Sequence, residues 1–137
     1  MGSEAEKAWL MKTLVLDTDI FIDYLRGLPK AEGFFKQLKQ GESLVYFSAI
    51  TEAELLGGKE CSTIEKKAAL LNFLAHFAKV SVDNQVAASA GELRRNFSIE
   101  IPDAIIAATA LLMKGELLTR NLKDYQKIAD LRVRAPY

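Results

Sequence analysis

The residues able to do chemistry in this 137-residue chain are carboxylates, and their positions follow a pattern. Asp17 and Asp19 follow the apolar run Lys12-Thr-Leu-Val-Leu16, and Glu52 and Glu54 follow Leu44-Val-Tyr-Phe47. Asp103 follows Pro102, and Asp124 follows Glu116-Leu-Leu-Thr119. In an open α/β sheet, sites form in the crevice beyond the carboxyl ends of the strands, so acids near those ends can converge on one edge. Three or four carboxylates that meet cannot all stay ionised unaided, because like charges raise one another's pKa or recruit a cation. An all-oxygen set selects hard ions, Mg2+ or Mn2+, over zinc. One or two such ions activate a water and stabilise the leaving oxygen of a phosphodiester in an in-line displacement. The other reactive side chains are few. One cysteine, Cys61, and one histidine, His76, exclude an internal disulfide framework and zinc cages built on four cysteines or on paired cysteines and histidines. His76 reads as structural and Cys61 as an exposed loop thiol without a role.

The elements that must position these acids alternate. Lys12–Leu16 reads as a buried strand, and Thr18–Arg26 as a helix closed by Gly27. Pro29 opens a helix to about Gln40, with Phe34, Phe35 and Leu38 on one side. Leu44–Phe47 is a second strand, and a short helix then runs to Leu56 before Gly57-Gly58. Ser62-Thr-Ile-Glu65 has the form of a capping box. It predicts a long helix to about Phe77 with Ile64, Ala68, Leu71, Leu74 and Ala75 as its apolar stripe. Lys79–Val82 is a third strand, and Asp83 or Asn84 caps a helix ending near Phe97. Pro102 opens a helix to Lys114 that is apolar nearly all round over 104–112, and so is expected to lie buried against the sheet. Glu116–Thr119 is a fourth strand, a one-turn helix follows around Asp124–Ile128, and Leu131–Arg134 is a candidate fifth strand. Strands alternating with helices imply one α/β domain, with a parallel sheet of four to five strands between two helical layers.

Half the residues are apolar and 26% are charged, which builds a core and argues against disorder. The 18 basic and 18 acidic residues cancel, so overall charge does not mark a nucleic-acid binder. No run reaches the roughly 18 apolar residues of a membrane span. Residues 1–10 lack the pattern of a secretory signal and read as an extension preceding a domain over 11–137. The expected compartment is the cytoplasm.

Each acid also has a local explanation. Thr51-Glu-Ala-Glu54 matches a capping box. Asp103 behind Pro102 complements a helix dipole, Asp17 can cap the helix after it, and Asn121-Leu-Lys-Asp124 can be a local cap. Capping accounts for each acid singly but not for their gathering along one edge. Glu52 and Glu54 are separated by about 200° on a helix and cannot both face one pocket; spacing alone leaves the choice open.

Four stretches together resemble the motifs of PIN domains, in family order. They are Leu16-Asp17-Thr18-Asp19-Ile20-Phe21-Ile22-Asp23; Ser48-Ala-Ile-Thr-Glu-Ala-Glu54-Leu55-Leu-Gly57; Ile101-Pro-Asp103-Ala-Ile-Ile-Ala-Ala-Thr109-Ala; and Leu118-Thr119-Arg120-Asn121-Leu-Lys-Asp124-Tyr125. The length is similar to that of VapC-like toxins of type II toxin–antitoxin pairs. The resemblance implies a Mg2+- or Mn2+-dependent endoribonuclease whose catalytic and metal-binding set is Asp17, Glu54, Asp103 and Asp124. Thr18, Asp19, Thr119 and Asn121 would support that set, while Asp23 reads as helix-structural. It further implies a homodimer and an antitoxin partner seated in a groove of the early helices, with Tyr24, Leu25, Phe34, Phe35, Leu71 and Leu74 as candidate lining. Phe73 and Phe77 are candidates for a dimer face. RNA contacts must then come from cations on the rim, foremost Arg26, Arg120 and Lys123, with Arg94, Arg95 and Lys114 as further candidates that ordinary solvated charge explains better.

Two other classes compete. A phosphatase of the haloacid dehalogenase type also places Asp-x-Asp after its first strand, as in Asp17-Thr-Asp19, but no Gly-Asp-x-x-x-Asp stretch follows here. A receiver-like or catalytically silent PIN-like binding module would keep an acidic pocket. A receiver, however, needs an Asp ending a central strand, where Phe47 or Val82 stands, and a Lys where Arg120 follows Thr119.

Overall fold

In the computed structural model, which describes residues 12–137, β1 (Thr13–Leu16) is the middle strand of the sheet. It is followed by α1 (Thr18–Leu25), α2 (Pro29–Gln40), β2 (Leu44–Ser48) and α3 (Ala49–Leu56). Next come a 3-10 turn (Lys59–Cys61), α4 (Ile64–Leu74), β3 (Ala78–Val80), α5 (Asn84–Phe97) and α6 (Ile101–Met113). The chain closes with β4 (Glu116–Leu118), α7 (Leu122–Tyr125) and β5 (Val133–Arg134). The five strands run in the order β3-β2-β1-β4-β5, and every pairing is parallel. Val15 faces Tyr46 on one side and Leu117 on the other. The extension expected over 1–10 lies outside the described residues.

Alternation along β1 builds the three layers. Leu14 and Leu16 point into one apolar cluster with Ile20, Phe21, Phe34, Phe35, Phe47 and Leu70, whereas Val15 points into the other, with Val86, Ala90, Ile106 and Leu117. The first cluster is covered by α1 to α4 and is aromatic: Phe21 lies 5.6 to 6.2 Å from the rings of Phe35, Phe47, Phe73 and Phe77. Tyr24 stacks on Phe73 at 4.2 Å. Such pairs add about 0.5–1.5 kcal/mol each beyond area burial. The second cluster is covered by α5 and α6, and Ala104–Ala110 of α6 are buried without a break. Small side chains let this helix approach the sheet as its composition predicts. At the α6–β4 turn, Lys114 takes a left-handed conformation. Gly115 follows so close to β1 that a Cβ there would stand 3.1 Å from the Thr13 carbonyl.

The structure corrects several local expectations. Helix α4 begins from Thr63, whose hydroxyl accepts the Lys66 amide at 3.1 Å, and it stops at Leu74. Its buried stripe is Leu70, Phe73 and Leu74, while Ile64 is 83% exposed and Leu71 38%. Both stripes have helical spacing; the one carrying Phe73 is chosen because its ring completes the aromatic cluster. Phe73 is therefore core, not a dimer face, and Phe77 packs on Phe21. Phe34, Phe35 and Leu74 are likewise buried and cannot line an open groove, which leaves Tyr24, Leu25 and Leu71 at the surface. Cys61 is half-buried against the aromatic cluster rather than exposed. The one-turn helix sits at Leu122–Tyr125, just N-terminal to where it was expected. No single helix among the described residues is long and apolar enough to cross a membrane; α5 and α6 pass that test only as a pair bent by 117°.

Candidate functional site

Sheet order places the site. β1 leads on to β2 on one side and β4 to β5 on the other, so the connections from the carboxyl ends of β1 and β4 diverge and a crevice opens between them. Asp17 is the first residue past β1 and Thr119 the first past β4. The Asp17 amide closes the ladder onto the Leu118 carbonyl at 3.0 Å, which fixes both positions.

Asp17 is buried, at 5% exposure. One of its oxygens accepts the Thr18 amide at 2.7 Å, capping α1. The other accepts the Thr119 hydroxyl at 2.7 Å. Its carboxyl is pushed up to about 7, first by burial, then by the charge of Asp19, with Asp103 adding to it. Capping and convergence are thus both true of this residue. Asp19, two residues on, has one oxygen bonded to the Arg120 amide at 3.0 Å and the Thr119 hydroxyl at 3.3 Å. Its other oxygen is buried with no hydrogen-bond partner among the described residues. Burial raises its pKa too, against the opposing pull of Arg120.

Asp103, in the first turn of α6, accepts the Tyr125 hydroxyl at 3.1 Å. Its carboxyl is raised by burial and, against the Tyr125 bond, by the charges of Asp124 and Glu100. Asp124 is exposed on α7 and is held by the Asn121 side-chain amide at 2.8 Å. The Asn121 backbone amide in turn donates to the Thr119 hydroxyl at 2.9 Å. The fourth acid arrives through Thr18, whose hydroxyl donates to Glu54 at 2.7 Å and lies 2.9 Å from the buried Thr51 hydroxyl.

That contact resolves the choice left open by spacing. Glu54 turns toward Thr18 and the crevice, whereas Glu52 turns away to Lys79 at 3.1 Å. The capping-box reading of Thr51 and Glu54 fails: Ser48 caps α3 through the Ile50 amide, which frees Glu54. Asp23, read as helix-structural, is tied to distant elements as well as to its own helix. It is 6% exposed, pairs with the Arg120 guanidinium at 2.6 Å and accepts the Tyr137 hydroxyl.

Among the rim cations, Arg120 is therefore spoken for by Asp23, and Arg26 pairs with Glu60 at 2.6 Å. Lys123 is exposed on α7 beside Asp124. Arg94 caps the Ile99 carbonyl at 2.8 Å and faces Glu100. Lys114 lies at the amino end of β4, on the edge away from the crevice.

Spacing missed Tyr125. Its ring is fully buried, and its hydroxyl faces both Asp103 and Asp17, whose charges, with burial, hold it firmly protonated. The available signal was its place in a one-turn helix directly after Asp124: a buried Tyr needs a partner for its hydroxyl.

Among the described residues no three acidic, His or Cys side chains form a ready-made metal cage. The acids are instead tied into a network by the hydroxyls of Thr18, Thr119 and Tyr125. The donor set still fits a hard divalent ion. It is all oxygen, a buried Asp19 oxygen has no partner among the described residues, and Asp17 is held at a pKa that only a proton or a cation can relieve.

Known proteins resemble this chain over most of its length. The PIN domain family model matches residues 14–131. A relative described as Ribonuclease VapC19, from Mycobacterium tuberculosis, is 31% identical over 123 residues, spanning 86% of this chain and 96% of the relative. A solved toxin–antitoxin complex from Klebsiella pneumoniae contains a chain that superposes with a TM-score of 0.76. It is 31% identical and covers 90% of this chain and 98% of its own. FitAcB from Neisseria gonorrhoeae superposes with a TM-score of 0.69 at 28% identity, covering 90% and 97%.

Proposed function

This chain belongs to the PIN domain family, and from that premise we propose that it is a metal-dependent endoribonuclease, the toxin of a toxin–antitoxin pair. The observation that carries the reading is Asp17, buried between the Thr18 amide and the Thr119 hydroxyl with its pKa driven up by burial and by Asp19. A carboxylate kept in that state is held ready for a cation rather than for stability. Ribonuclease activity in a relative aligned over 86% of this chain supports RNA as the substrate.

Asp17, Glu54, Asp103 and Asp124 would hold the ion, and Asp19 would lend its unpartnered oxygen. When bound, Mg2+ or Mn2+ supplies water activation and neutralises charge on the scissile phosphate. The chain's own groups do the positioning. Thr119 fixes the rotamers of both Asp17 and Asp19. Thr18 anchors Glu54, and Asn121 orients Asp124. The Tyr125 hydroxyl, held protonated, donates to Asp103 and keeps one of its oxygens turned inward.

An antitoxin partner, a homodimer and a cytoplasmic site of action belong to the same proposal. Solved toxin–antitoxin complexes of this fold support the first of these. The test is to map cleavage ends in cellular RNA incubated with purified protein, with Mg2+ or with EDTA, beside Asp17→Asn. Discrete new ends that need both the metal and Asp17 are expected. Equal cutting by Asp17→Asn or in EDTA would overturn the reading.

A further inference from the structure

Beside the carboxylates lies a second cleft, of about 430 Å3, lined by Leu28, Pro29, Lys30, Arg120 and Tyr137. Its connection to the site is covalent and short: the Arg120 backbone amide holds Asp19 at 3.0 Å, and the preceding residue, Thr119, holds Asp17. Arg120 thus belongs both to the lining of this cleft and, through its backbone, to the carboxylate network.

Its chemistry is specific. The guanidinium of Arg120 is clamped by Asp23 through Nε at 2.6 Å and a terminal nitrogen at 2.9 Å. The ring of Tyr137 is pinned by its own hydroxyl on the same carboxylate and by packing on Phe34, with centroids 6.1 Å apart. Two planar groups are thus fixed by one buried acid before any ligand arrives. Clamped by Asp23, Arg120 is better suited to stacking than to anchoring phosphate. Lys30, at the start of α2, remains as a point charge for phosphate, and Leu28 is 38% exposed on the same wall. Fixed planar surfaces, apolar walls and one cation match a nucleobase with its phosphate, since bases stack on aromatic rings and guanidinium planes.

We propose that this cleft is a nucleobase subsite that seats an unpaired RNA nucleotide flanking the scissile phosphate, stacking it against Tyr137 and Arg120, with Lys30 on its phosphate. The proposal rests on the nuclease reading above. The charge of Lys30 and the link through Arg120 to Asp19 favour RNA over a segment of a protein partner.

The test uses a short single-stranded oligoribonucleotide that spans a junction mapped with wild-type protein, and a series in which each flanking nucleotide in turn is made abasic. For wild type, one abasic position beside the junction raises KM about tenfold or more, as loss of one base stack does, while kcat stays within about twofold. Tyr137→Leu raises KM for the intact RNA by a similar factor and no longer responds to that abasic position. Tyr137→Phe keeps the ring and its packing on Phe34 but loses the bond to Asp23, so it keeps the response in weakened form. Lys30→Ala raises KM for intact and abasic RNA alike. Leu28→Glu, an exposed change that leaves the core untouched, raises KM by repelling the backbone and serves if Tyr137→Leu misfolds.

A wild-type protein that cuts no RNA overturns the nuclease reading and the subsite with it. Cutting with an abasic profile that these variants leave unchanged overturns the subsite alone. So does a set of variants whose KM for RNA is normal but whose affinity for a protein partner falls.

Discussion

The Thr119 hydroxyl donates to the Asp17 carboxylate at 2.7 Å across 102 positions of sequence, and it is the bond on which the geometry of the crevice turns. The same hydroxyl reaches Asp19 and accepts the Asn121 amide. One buried oxygen thereby sets the orientation of two acids and of the loop that carries a third.

Thr119→Val keeps the shape of the side chain and removes that oxygen. Cleavage is expected to fall roughly 10–100-fold, the range for groups that orient metal ligands, and stability by about 1–3 kcal/mol as buried polar groups lose a partner. Thr119→Ser, which restores the hydroxyl, should recover most of both. Initial rates and urea melts on the three proteins check this.

The raised pKa of Asp17 makes a signed prediction about stability. In the native state its carboxyl titrates at about 7, against 3.8 for the free group. The folded state therefore binds the proton more tightly than the unfolded one, and stability falls as pH rises wherever the native state carries more protons. Without metal, the contribution of Asp17 is full below about pH 4 and lost as pH rises through about 7. Asp17→Asn should flatten this slope, melt at higher temperature than wild type at about pH 8 in EDTA, and cut no RNA. Mg2+ should raise the wild-type melting temperature at that pH and leave that of Asp17→Asn nearly unchanged. Thermal melts from about pH 4 to 8, with EDTA and with Mg2+, read all three effects.

Glu52 and Glu54 are two residues apart and should behave oppositely. Glu54→Gln keeps the bond from Thr18 but removes a charge from the crevice, and cleavage should fall on the order of a hundredfold or more, at or above the effect of outer-shell groups. Glu52→Gln breaks only a surface pair with Lys79 and should leave cleavage unchanged and stability within about 0.5 kcal/mol. Parallel rate measurements decide, and equal losses would contradict the orientation of α3.

Phe21 anchors α1, and so the residues at that helix's start, to the aromatic cluster. It is fully buried among the rings of Phe35, Phe47, Phe73 and Phe77. Phe21→Ala is expected to cost about 3–5 kcal/mol, and Phe21→Leu distinctly less because most of the volume is kept. Urea unfolding of the two variants measures the difference.

By itself the sequence determined the order of elements, the parallel sheet between two helical layers, and the acids that stand at strand ends. These follow from periodicity and capping, which are local: Lys12–Leu16 reads as a strand, and Pro102 opens a buried helix, whatever surrounds them. Only the tertiary structure decided which way the side chains face. Glu54 rather than Glu52 enters the crevice because α3 seats buried Thr51 against Thr18. Phe73 rather than Leu71 is buried because a stacking partner, Tyr24, waits on α1. Asp23 belongs to Arg120 and Tyr137, residues 97 and 114 positions away. Such contacts depend on the order of strands in the sheet, which brings β1 beside β4, and spacing within a single helix or strand carries no information about that order.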